Sequence, residues 1–344
     1  MQKDDNQNEI KQVNDILDHR GYLVNTGWSR DDMFFYDRSK IKVSPLRIKE
    51  WDYWEVFNEN HSVILNIFDI GYAGVAQFSF TDFNSGASQA ASLFKPLTLG
   101  SMGMPRSWRY KKPLIFRKGD SQMAFTRKGD YIYLQADFTS PNIRGEFSLY
   151  KAPDMDSMVN VIPFSNPRHF VYAVKIMCMP VDGEVLIEGE KYRFNQNNHS
   201  WGVLDWTRAV FPYRNQWKWC AASGVVDGAN LGFNLDYGFG EGASSKSMIF
   251  YEGQGHHLGK VAYQHDWHNP YAPLQITSAD ERVNLVLTPK YAKKGGPNLG
   301  LMKMVGIKTY GFFTGELVLD DGTRVEIKES DRLFGWAEEF HQKW

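Results

Sequence analysis

The sequence has little of what marks several large functional classes. Cysteine occurs only twice in 344 residues, as Cys178 and Cys220. Neither a disulfide framework nor a cysteine-based metal centre is expected, and each thiol sits in an apolar or aromatic run where a reduced, buried cysteine is ordinary. Lys plus Arg total 39 against 40 for Asp plus Glu, so the chain lacks the basic excess that binding to a nucleic-acid backbone requires. Nucleic acid is therefore not an expected partner. No apolar window is long enough for a membrane span. The opening MQKDDNQNEIKQVND is polar, with no apolar leader, which points to the cytoplasm. No G-x-G-x-x-G opens a helix after a strand, and there is no phosphate loop and no H-E-x-x-H, so no nucleotide, cofactor or metal is implied.

Aromatic residues, at 15%, and thirty glycines are plentiful, a composition that favours strands joined by tight turns. At this length about two domains are expected. Residues 1–20 carry Ile10, Val13, Ile16 and Leu17 at helical spacing and predict a short N-terminal helical extension. From Ile41 the pattern changes to period two, as in KVSPLRIKEWDYWEVFN, SVILNIFDIGYAGVAQFSF, YIYLQADF and GEFSLY. These read as antiparallel strands. The succession EWDYWEV then LNIFDIGYAG is echoed by QWKWCAA then LGFNLDYGFG, which suggests a duplication. The expected fold is all-β, with two lipocalin-like antiparallel barrels over residues 21–200 and 201–344 and short peripheral helices. The seam between the halves is expected between Phe194 and Trp217, and WAEEFHQKW reads as a closing helix or tail.

The densest concentration of chemistry is NNHSWGVLDWTRAVFPYRNQWKWC. If His199 and Trp201 lie on one strand, they share a face, as do Trp217 and Trp219. An imidazole beside indole walls can exchange a proton within an apolar site, and the rings can stabilise a developing cation. Asp205 is the candidate acid beside His199, with Arg208 or Arg214 as its partner, and Tyr213 completes the polar set. The plainer reading makes His199 a hydrogen-bonded core residue and Asp205 with Arg208 a structural salt bridge. In RIKEWDYWEV the ordinary arrangement points Glu50 and Asp52 outward, with Trp51 and Tyr53 inward as pocket residues. The reverse would make the two acids a pair of the kind that glycoside hydrolysis uses. His256, His257, His265 and His268 match no standard ligand spacing and read as turn residues.

Taken in order, RIKEWDYW, LNIFDIGYAG, HSWGVLDWTRAVFPYRNQWKW, LGFNLDYGFG and DDGTRVEIKESDRLFGWAEEF resemble the bacterial family DUF 2804, over nearly the whole chain beyond about residue 20. HSWG also resembles the H-x-W-G signature of the carotenoid 1,2-hydratase and AttH-like group. That resemblance implies a double lipocalin fold and carries His199 and Trp201 over as residues of a water-adding site. The aspartate of that group is not matched, Asp227 and Asp236 both being candidates. The implied function is a cofactor-independent enzyme acting on a hydrophobic or polycyclic small molecule by hydration, dehydration, isomerisation or cyclisation. A non-catalytic carrier or sensor, and a carbohydrate-active protein, are the alternatives.

Overall fold

The computed structural model describes residues 8–238, 246–266, 268–296, 298, 300 and 302–344. Among these, helix is confined to four single 3-10 turns, Arg38–Lys40, Pro45–Arg47, Gln196–Asn198 and Glu329–Asp331. The rest of the regular structure is strand, as the period-two patterning predicts.

The first sheet runs from Ser88–Pro96 through Ala73–Asp82, His61–Asp69, Ile48–Phe57, Trp201–Val210, Phe170–Ile187, Asn142–Tyr150, Tyr131–Thr139 and Ser121–Lys128 to Leu114–Lys118. Its ends nearly meet, with Lys118 Nζ donating to the Phe94 carbonyl at 3.0 Å. The result is a nearly closed barrel. Trp54, Trp108, Phe125 and Phe138 fill its interior and are wholly buried. The second sheet runs from Gln254–His257 through Met248–Tyr251, Ala229–Tyr237, Arg214–Val226, Phe334–Lys343, Lys303–Val318, Val283–Gly295 and Leu274–Ser278 to Val261–Gln264. It curls as a half-barrel around Phe233, Leu285 and Phe313.

Four expectations are corrected. Residues 8–20 are extended, and residues 1–7 lie outside the described chain. Ile10 N–H donates to the Trp28 carbonyl at 2.7 Å and Val24 N–H to the Ile16 carbonyl at 3.0 Å. Asp18 Oδ1 accepts from the Arg20 and Tyr22 backbone N–H groups, the kind of local bond by which Asn and Asp compete with helix. The C-terminal segment is a strand, Phe334–Lys343, paired on both sides. Its aromatics recur every four residues, a spacing that fits period two as well as a helix. Trp201–Val210 is paired within the first sheet to Phe170–Ile187 and Ile48–Phe57, so the chain passes to the second sheet between Val210 and Arg214, not at residue 200. Finally, it is the acidic face of RIKEWDYWEV that points into the first barrel.

That last inversion follows from what lies on each side of the sheet. Trp54 and Val56 belong to the barrel core, whereas Phe57 with partly buried Tyr53 belongs to a second apolar cluster, which also contains Trp219 and Trp336. The strand is covered on both faces, so aromatics occur on both and neither face can be assigned to solvent.

Candidate active site

The two sheets meet face to face along a seam of aromatic rings. The first sheet contributes Tyr53, Phe57, Trp201 and Val203, and the second contributes Trp217, Trp219, Tyr310, Phe334 and Trp336. Rings interlock across the boundary, with Tyr53 and Trp219 centroids 6.1 Å apart and Phe57 and Trp336 5.2 Å, and within the second sheet Trp219 and Trp336 stand 5.2 Å apart. Edge-to-face pairs of this kind each add about 0.5–1.5 kcal/mol beyond the area they bury.

Within this apolar layer, among the described residues, lie seven buried carboxyl and ammonium side chains, Glu55, Lys175, Asp205, Asp236, Lys246, Lys308 and Glu338. Lys308 is the centre of one group. Its Nζ lies 2.6 Å from Glu55 Oε2 and 3.0 Å from Tyr53 Oη, with Glu338 Oε2 at 3.9 Å. It stands 3.9 Å from the centroid of the Trp336 ring. Glu55 also accepts from Tyr53 Oη, from Tyr310 Oη at 2.7 Å and from Ser62 Oγ at 2.7 Å. Burial, and then the Glu55 charge, hold both tyrosine hydroxyls well above their ordinary pKa. They are therefore neutral donors at any working pH.

A second group adjoins it. Lys175 Nζ pairs with Asp205 Oδ2 at 2.7 Å and stands 3.9 Å from the Trp219 ring centroid, while Thr207 Oγ1 donates to Asp205 Oδ1 at 2.9 Å. Burial raises the Asp205 carboxyl, but Lys175, Lys246 and these hydrogen bonds outweigh it and leave the group below its ordinary value. Lys246 and Asp236 pair at 3.1 Å. Burial pushes the Asp236 carboxyl up and the Lys246 ammonium down, each against the attraction between them.

Glu338 differs from the other carboxylates. Trp217 Nε1 donates to its Oε1 at 2.9 Å. Burial pushes its pKa up from 4.5 to about 7, with Lys308 and the Trp217 bond opposing and the Glu55 charge reinforcing the rise. Among the described residues three buried lysines face four buried carboxyls, so with the other six charged a proton on Glu338 brings these groups to electrical balance. A carboxylic acid poised near neutrality and flanked by indoles is equipped to give or take one proton in a water-poor setting.

Of the residues singled out in the sequence, Tyr53, Trp201, Asp205, Trp217 and Trp219 come together in this seam. Trp51 lies further along the same strand face, stacked on Phe211 at 5.8 Å, with Trp344 beyond. Tyr213 is exposed in the link between the sheets. His199 does not share a strand face with Trp201. It closes the Gln196–Asn198 turn in the left-handed region, at φ +52°, and is exposed, while Trp201 begins the following strand and is buried. The Asn-rich turn explains this, because Asn195 Oδ1 accepts from Asn197 N–H and Asn198 Oδ1 from Asn195 N–H, both at 3.0 Å.

Asp205 does not pair with Arg208. An odd separation along a strand puts the two on opposite faces. Arg208 is wholly buried inside the first barrel, where it reaches Asp52 at 2.8 Å and Glu50 at 3.7 Å. Tyr110 Oη donates to Asp52 and Tyr36 Oη to Glu50, both at 2.8 Å. The inward acids are thus tied into a clamp. His256 and His257 lie where the halves meet beside the barrel ends, His257 stacked on Trp28 at 4.1 Å and His256 Nδ1 3.5 Å from Asp320.

Lys175, Lys246, Lys308, Glu55 and Glu338 were not singled out from the sequence, whereas Asp236, one of the two candidate aspartates, lies buried beside Lys246. The available signal was phase. Lys308 alternates in step with Tyr310 and Phe312, and Glu338 with Trp336 and Phe340, so each charge lies on the aromatic face of its strand.

The family described as Domain of unknown function (DUF2804) matches residues 7–344. No curated protein matches. Among solved structures, CghA aligns with a TM-score of 0.51 at 10% identity, covering 88% of this chain and 89% of that one. An AttH-like protein (NE1406) from Nitrosomonas europaea aligns with a TM-score of 0.50 at 12% identity, covering 89% and 96%. Kievitone hydratase from Nectria haematococca aligns at 0.48 and 8% identity, covering 90% and 92%. At these identities the likeness is one of fold.

Proposed function

We propose that this chain, which belongs to the DUF2804 family, binds a small, largely apolar molecule along the seam between its two sheets and uses Glu338 as the proton-transfer group. The observation that carries the reading is the buried Glu338 carboxyl, which accepts from Trp217 Nε1 at 2.9 Å and lies among Trp217, Trp219 and Trp336, with burial pushing its pKa up to about 7. Stability alone gains little from such a group, because a buried acid that must lose its proton above neutrality costs the fold free energy.

The reactions that suit it proceed by moving one proton without a cofactor: hydration, dehydration, isomerisation or cyclisation. Glu338 would protonate an apolar substrate, the indole faces would stabilise the positive charge that develops, and Tyr53 and Tyr310 would orient any oxygen on the ligand. His199 has no part in this scheme. The inward pair Glu50 and Asp52, already engaged by Arg208, gives no support to glycoside hydrolysis.

The test is to expose the purified protein to a metabolite extract, identify the captured molecule by native mass spectrometry, and follow its conversion by wild type and by Glu338→Gln. Binding retained with turnover lowered about 100-fold or more is expected. A captured molecule that neither form converts would make the protein a carrier. Capture unchanged by Trp219→Ala would place the site elsewhere.

A further inference from the structure

The face of the second sheet turned away from the seam carries an arrangement that the seam chemistry does not use. Along Arg214–Val226, Trp217 and Trp219 look into the seam, while Cys220 and Ala222 look into the half-barrel. By the same alternation Arg214 and Gln216 lie on the half-barrel side, at its mouth. Arg214 is registered against Lys343, and Lys343 against Lys303. Three cations therefore stand opposite one another on adjacent strands. Directly opposed residues in an antiparallel ladder hold their Cβ atoms about 4.5–5.5 Å apart, where like charges are destabilising.

Among the described residues no carboxylate pairs with this row of Arg214, Lys303 and Lys343. One row inward, Gln216 is registered against His341. Glu339, on the same face of the same strand as Lys343, is already engaged by His341 at 2.8 Å and Lys218 at 3.7 Å. These side chains line an open groove of about 440 Å³ that includes Gln342, and none of its described lining residues is acidic. The chain as a whole carries a net charge of only −1, so the row is no sample of a generally basic surface.

We propose that this groove binds the oxyanion of a small molecule, a carboxylate, phosphate or sulfate, across Arg214, Lys343 and Lys303. An anion placed over the row turns three repelling charges into three donors, with Gln216 beside them to supply an amide N–H. The volume exceeds what a lone inorganic anion needs and falls in the range of small-molecule sites. The site is on the opposite side of the sheet from Glu338 and does not depend on the reading of the seam.

The experiment is a calorimetric and thermal-melting titration at constant ionic strength with two probes, inorganic phosphate and phenyl phosphate, on wild type, Lys343→Gln, Arg214→Gln and the distant surface variant Lys112→Gln. Wild type and Lys112→Gln should bind alike. Lys343→Gln and Arg214→Gln should each bind at least about tenfold more weakly. In the absence of oxyanion, Lys343→Gln should melt above wild type because the central repulsion is gone, and that order should reverse in saturating probe. Tighter binding of phenyl phosphate would identify the anionic end of an organic molecule, and equal binding a free oxyanion. Absence of saturable binding to wild type, or undiminished binding by both row variants, would overturn the proposal.

Discussion

Replacing Glu338 by Gln isolates the group on which the seam chemistry rests. The amide keeps the side-chain shape and still accepts from Trp217 Nε1, but it cannot ionise. In wild type the folded state holds the Glu338 proton up to about pH 7, whereas an ordinary glutamate releases it near 4.5. Between those values the native state binds more protons than the unfolded state, so this group's contribution to stability is full below 4.5, falls as pH rises, and is gone above about 7. At about 1.4 kcal/mol per tenfold change, the loss amounts to about 3 kcal/mol. Glu338→Gln lacks this dependence. Urea unfolding of both proteins at half-unit steps from pH 4.5 to 8.5 should give a stability difference that moves in favour of the variant by about 3 kcal/mol across the range and then levels off. Groups remote from Glu338 titrate alike in both proteins and cancel in the difference. A difference independent of pH, or one that moves in favour of wild type, would refute the reasoning.

Three further outcomes are expected. Lys308→Met keeps the aliphatic bulk but leaves Glu55 buried without its ammonium, and should cost about 3–5 kcal/mol in urea unfolding. Gly335→Ala should cost about 3 kcal/mol or more by the same measurement, because the new Cβ would lie 2.1 Å from the Ala221 carbonyl oxygen and 2.6 Å from Ala222 Cα, backbone atoms that cannot rotate away. His199→Gly should raise stability by about 0.5 kcal/mol, since glycine relieves a left-handed backbone at an exposed position. A loss of more than about 1 kcal/mol in its thermal melt would reveal a packing role for the ring.

The fold was legible where strand periodicity and turn residues agreed, as in Tyr131–Thr139 and Asn142–Tyr150. It was misread where one spacing fits two periods. Trp336, Phe340 and Trp344 satisfy both a helix and a strand, and only pairing on both sides decides between them. The site was legible in its walls, because Trp217 and Trp219 announce a buried aromatic face. Its charges were not, because a lysine or glutamate on a strand is ordinarily assigned to solvent, and Lys308 and Glu338 lie in step with aromatics only if both faces of their sheet are covered. The H-x-W spacing misled for a related reason. It implies a shared face only within a strand, and the Asn195–Ser200 turn places the strand boundary between its two members.

The central claim is that the ligand lies between the sheets with Glu338 at the reacting atoms. The most direct measurement is a crystal structure of the protein with the captured molecule bound. The account predicts density against Trp219 and Trp336, with a ligand atom within hydrogen-bonding distance of a Glu338 carboxyl oxygen. Density inside the first barrel on the Arg208 side, with the seam unchanged, would contradict it.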